Sequence, residues 1–161
     1  MELPPSATFN IDNQSVGISA FDAREAEQNL HQQAVNIIAS GPSITDLSFA
    51  DLVDTATIFV NGSISLMAQY NFTNVVGYVI SDGRFVKHQP DILNKYYTGQ
   101  PLYATLAVFE ALAISHPSMI SKYHNAMRII YPADRAWSVK TNKSWFGRLL
   151  TKTLSHNKKI P

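Results

Sequence analysis

The 161 residues include no cysteine. Disulfides, thiol nucleophiles and thiolate metal sites are thereby excluded, as suits a cytoplasmic protein. No apolar run approaches the roughly 20 residues of a membrane span. The opening Met1-Glu2-Leu3-Pro4-Pro5-Ser6 lacks the basic stretch and apolar core of a secretory signal, which again points to the cytoplasm. Charge is sparse, at 16% against 45% hydrophobic residues, so the chain is globular rather than disordered. Familiar nucleotide signatures are missing: there is no Gly-x-Gly-x-x-Gly, no Walker loop and no Asp-x-Asp pair. His31, His88, His116, His124 and His156 show no metal-ligand spacing, so neither a metal nor a resident cofactor is expected.

Acidic residues are absent after Asp134, whereas seven of the 13 basic residues fall there, from Arg135 to Lys159. Within that tail Ser144–Leu154 reads as an amphipathic basic helix, with Trp145, Phe146, Leu149 and Leu150 on one side. Such a tail is either a solvated terminus or a contact for an anionic surface. In the second case residues 135–161 would touch an anionic glycolipid or the inner membrane surface, making the protein peripheral there. Nucleic acid is not an expected partner.

What the chain does have is a series of apolar, β-branched runs tipped by small polar residues. Val35-Asn36-Ile37-Ile38-Ala39 leads into Ser40-Gly41-Pro42-Ser43. Ile58-Phe59-Val60 leads into Asn61-Gly62-Ser63, and Val75-Val76-Gly77-Tyr78-Val79-Ile80 into Ser81-Asp82-Gly83-Arg84. These read as buried parallel strands, at about 35–39, 56–60 and 75–80, that deliver their tips to one sheet edge. In open α/β sheets ligands bind at that carboxyl edge. Gly41 lets the backbone approach a ligand closely, Pro42 suits a helix start, and Ser43 can cap a first turn whose N–H groups suit a phosphate. Ser-Gly-Pro-Ser also fits an ordinary strand-to-helix turn.

Around these strands the pattern predicts helices over Phe21–Gln33, Ile64–Tyr70 (Leu66 and Met67 inward) and Phe85–Tyr97, the last kinked at Pro90. A short helix or turn is expected over Ile44–Val53, with Leu47, Phe49 and Leu52 buried. Leu102–Phe109 fits a strand or a helix start equally, and Ala126–Tyr131 fits a strand. The expected fold is α/β, a Rossmann-like, mostly parallel sheet with flanking helices. Its expected parts are an N-terminal loop or arm over 1–18, an α/β domain over 19–135 that carries the ligand-binding edge, and the basic tail over 136–161.

The order of strand–Ser-Gly-Pro, strand–Val-Asn-Gly-Ser and strand–Asp-x-Arg-Phe over about residues 34–95 resembles the Kdo transferases of the lipopolysaccharide core (the WaaZ type). More distantly it is similar to bacterial sialyltransferases that use CMP-sialic acid. The resemblance implies a cytoplasmic, membrane-associated glycosyltransferase with a CMP-sugar donor such as CMP-Kdo. Gly41, Pro42 and Ser43 would cradle the donor, and Asn61 would contact its nucleotide. Ser63 and Asp82 stand where further donor contacts lie, Asp82 toward the ribose hydroxyls. Arg84 would neutralise the phosphate by a bidentate contact, or else form a surface salt bridge. His88, just past the third tip, is a base candidate and equally a surface histidine. The family is longer, and its second half carries the acceptor region and the base. This chain is therefore expected to be a truncated copy holding the donor-binding half. A pterin-pyrophosphokinase-like protein binding another nucleotide, and a non-catalytic remnant or interaction module, are the alternatives.

Overall fold

The computed structural model describes residues 4–30, 33–41, 44 and 46–131. Over them the chain is α/β, with one seven-stranded, mostly parallel sheet flanked by helices. The strands are β1 (Ser6–Ile11), β2 (Gln14–Ala20), β3 (Asn36–Ala39), β4 (Thr57–Val60), β5 (Val75–Ile80), β6 (Leu102–Ala104) and β7 (Met127–Ile129). Their order across the sheet is β1-β2-β7-β6-β5-β4-β3, and only β1 and β2 pair antiparallel. The helices are α1 (Ala23–Leu30), α2 (Gly83–His88), α3 (Pro90–Tyr96), α4 (Leu106–Ser115) and α5 (Pro117–Tyr123).

The chain expected as an arm over 1–18 is instead, from Ser6 onward, the β1–β2 hairpin. Its two-residue turn is Asp12-Asn13, with φ of 50° and 63°. Two left-handed residues match the twist of hairpin strands, and Asp and Asn tolerate that conformation. Phe9 pairs with Val16 and Ile11 with Gln14, a register that buries Ile11, Val16 and Ile18.

From β3 to β7 each strand lies beside its predecessor in chain order. Right-handed crossovers then place every connection on the same face. That face is the core: Ile38, Phe59, Tyr78, Ile80, Leu102, Ala104 and Ile129 meet Val86, Leu93, Val108, Phe109, Leu112 and Ile120 from the helices. The β2-to-β3 connection runs back across the whole sheet, so the same handedness sends α1 over the opposite face. There α1 borders an apolar groove of about 260 Å³ lined by Phe21, Leu30, Ile58, Val79, Tyr103 and Ile130. A bidentate ion pair from Arg128 of β7 to Glu25 clasps α1, at 2.6 and 3.0 Å. Those hydrogen bonds hold the Glu25 carboxyl below its ordinary range, against the opposing effect of burial.

Four details refine or correct the sequence pattern. Leu47 is not buried but 58% exposed, whereas Phe49 is buried and Leu52 partly so. The helix expected over Ile64–Tyr70 is a 3₁₀ helix over Asn61–Ala68 that winds directly off the strand end, with Leu66 buried and Met67 partly so. Leu102–Phe109 contains both candidates, β6 and then the start of α4. The kink placed at Pro90 is a break between α2 and α3 at Gln89, with Pro90 opening α3.

Phe59 is fully buried and meets Phe72 edge-on at 5.0 Å. Replacing it by Ala should cost about 3–5 kcal/mol in urea unfolding. Ile37→Ala, at a 70% exposed edge position, should cost well under that. Equal costs would show that the core is not on the face assigned here.

Candidate functional site

The carboxyl ends of β3, β4 and β5 lie side by side, since Ala39 is in register with Val60 and Val60 with Val79. The first two tips meet directly. A side-chain carbon added at Gly62 would stand 3.6 Å from Ser40 Cβ and 3.9 Å from the ring of Phe85. The Ser63 hydroxyl ties them together: it accepts from the Val60 amide at 2.9 Å and donates to the Ile38 carbonyl at 2.5 Å. Ser63 is itself buried, so this serine holds two strand ends in register rather than facing solvent.

Beside this junction a cleft of about 310 Å³ opens between the β3 tip and the 3₁₀ helix. Ser40, Gly62, Ser63, Ser65 and Gln69 supply its polar lining, and Tyr70 and Leu47 its apolar lining. A more open hollow of about 440 Å³ adjoins it at Ser40, Ile44 and Leu47 and runs along β3, past Gly41, to Phe49 and Leu52. The described lining of the cleft carries no formal charge. Hydroxyls, a carboxamide, backbone at a glycine and an aromatic ring are groups that hold a neutral polar ligand such as a nucleoside or sugar.

Asn61 opens the 3₁₀ helix with φ 52°, a left-handed conformation in a residue other than glycine. Its carbonyl accepts from the Tyr78 hydroxyl at 3.0 Å, while its side-chain Oδ1 is buried without a partner. Tyr78 is fully buried on β5, in ring contact with Tyr97, and burial pushes both phenols well above their ordinary pKa.

The third tip is organised differently. Asp82 caps α2, its Oδ1 accepting from the Arg84 amide at 2.9 Å. The Arg84 guanidinium folds back onto the same carboxylate, with contacts at 2.6, 2.8 and 3.1 Å. Its hydrogen bonds hold the Asp82 carboxyl below its ordinary range. Gly83 serves packing: a side-chain carbon there would come within 3.1 Å of the Ala107 carbonyl of α4. Ser-Asp-Gly-Arg is thus a helix start fitted against a neighbouring helix, and the arginine expected to meet a phosphate is matched to Asp82. His88 is exposed in the last turn of α2, near enough for its charge to act on Asp82.

Of the residues expected at the site, Gly41, Asn61 and Ser63 gather at the β3–β4 junction, and Asp82 and Arg84 pair with each other. Pro42, Ser43 and the basic tail over 136–161 lie outside the described residues. Ser40 stood in the first polar tip without a contact assigned to it, and Ser65, Gln69, Tyr70 and Tyr78 escaped the sequence reading. For Tyr78 a signal exists, a lone hydroxyl in the aliphatic run of β5, which once buried requires a partner. Among the described residues no group of three or more His, Asp or Glu side chains converges as a metal site would require.

Asp82→Ala should lower the melting temperature more than Asp82→Asn, because asparagine still caps the helix. The gap between wild type and Asp82→Asn reports the ion pair. It should be complete above the ordinary carboxyl value of 3.8 and close as pH falls through the lowered folded value, since a depressed pKa stabilises only the ionised form. Thermal melts from pH 2 to 7 check this, and a gap that widens in acid contradicts it.

No protein-family model matches the chain, nor does any curated protein or solved structure.

Proposed function

We propose that this chain binds a cytidine-nucleotide sugar donor at the β3–β4 junction. It would serve as a CMP-sugar-dependent glycosyltransferase, or its donor-binding half, with Kdo transfer in lipopolysaccharide core biosynthesis as the reaction its strand tips resemble. One observation carries the reading: an uncharged, hydroxyl- and amide-lined cleft at the carboxyl edge of a parallel sheet, where such folds take their ligands. Ser40, Ser65 and Gln69 suit ribose and base, Tyr70 offers a stacking surface, and Gly62 admits the ligand close to the backbone.

A second reading is a non-catalytic donor-binding module. The cleft's described lining favours it, because it holds no carboxylate, imidazole or amine to take a proton from an acceptor hydroxyl. Under either reading the basic residues within 135–161 would meet an anionic glycolipid or the phosphates of the inner membrane surface.

Calorimetric titration should show CMP binding more tightly than UMP or AMP, with Ser65→Ala and Gln69→Ala each weakening it at unchanged melting temperature. Equal affinity for all three nucleotides, or none, overturns the donor-site reading. The tail is checked separately by vesicle co-sedimentation. The full chain should pellet with anionic but not neutral vesicles at low salt. Replacing Lys143, Arg148 and Lys152 by Gln should release it.

A further inference from the structure

We propose that Tyr78 is a positioning residue for the binding edge, one that sets the conformation of the β4 tip from inside the core. The inference rests on reading the β3–β4 cleft as a nucleotide site, and adds to it the residue that fixes its shape.

The tip has an energetic problem. Asn61 must turn left-handed at φ 52° so that the chain leaves β4 and winds at once into the 3₁₀ helix carrying Gly62 and Ser65. For a residue with a side-chain carbon that conformation is disfavoured, and asparagine only softens the penalty. Strain of this kind persists where surrounding structure over-determines it. Two hydroxyls do so here. Ser63 fixes the tip to β3 through Ile38 and Val60. Tyr78, 17 positions on in the chain, donates to the Asn61 carbonyl at 3.0 Å and so fixes the peptide at which the turn begins.

The hydroxyl is held in place as well as present. Tyr78 is fully buried, and its ring lies 6.2 Å from that of Tyr97, which packs edge-on against Tyr123 at 5.3 Å. A phenylalanine would fill the same core volume equally well. What the tyrosine adds is one hydrogen bond, spent on the residue at the turn into the cleft.

The test uses the full-length chain carrying Tyr78→Phe, which keeps the ring. Amide hydrogen exchange is followed by NMR alongside CMP titration. Exchange should accelerate at least severalfold at Gly62 and Ser63 while Ile80 and Leu102 in the sheet keep their protection. CMP affinity should fall about tenfold, the scale of one hydrogen bond whose half-buried acceptor is left unpaired. Acceleration spread evenly over β4, β5 and β6 would make Tyr78 a packing residue and overturn the proposal. So would a tip that loosens without loss of CMP affinity in the variant. Should the wild type bind no CMP, the nucleotide reading fails instead, and exchange confined to the tip still supports Tyr78 as what holds it.

Discussion

The handedness of the crossover connections governs most of this structure. Five strands, β3 to β7, are laid down in chain order, and a right-handed path puts every intervening helix on one face. The core is therefore one-sided and deep, with Phe59, Tyr78 and Ile80 at its centre. The single return stroke from β2 to β3 must use the other face, which puts α1 there. A parallel sheet is ordinarily covered on both sides. Among the described residues the second side here has one eight-residue helix, an ion pair from Arg128 and an open apolar groove.

The same connectivity shapes the carboxyl edge. Doubly wound sheets offer a crevice where strand order reverses. From β3 to β6 order never reverses, so the cleft comes from the loops themselves: the 3₁₀ helix stands away from the β3 tip and the space between them is the site. Its walls are fixed by short polar bonds among Ile38, Val60, Ser63, Asn61 and Tyr78. Formal charge stays outside, where Asp82 and Arg84 satisfy each other in solvent.

Local signals carried much of this in the sequence. The runs ending at Ala39, Val60 and Ile80 are apolar on both faces, and their bounds lie within a residue or so of the strands. Pro90 punctuated the chain where α2 gives way to α3. The hairpin was hidden because Pro4 and Pro5 drew attention from the alternation through Phe9, Ile11, Val16 and Ile18, and because Asp-Asn is a quieter turn signal than Asn-Gly. The β5 tip misled for a different reason: an N-cap, a close-packing glycine and a self-contained ion pair use the same residue types as a phosphate site. The polar cleft was half visible, through its strand tips. Ser65 and Gln69 join it only by the winding of the 3₁₀ helix, which no local pattern announces.

The pairing of β2 with β7 joins Ser19 to Arg128 and Ala20 to Ile129, and the Glu25–Arg128 clasp spans 103 positions. During synthesis, at roughly 5–20 residues per second, the hairpin leaves the ribosome many seconds before the strand that receives it. Its apolar residues Ile11, Val16 and Ile18 must wait in solvent meanwhile. Loop-closure entropy weighs on such distant pairings and slows them. The hairpin is thus made well before the strand that houses it, and its apolar face stands open until β7 follows.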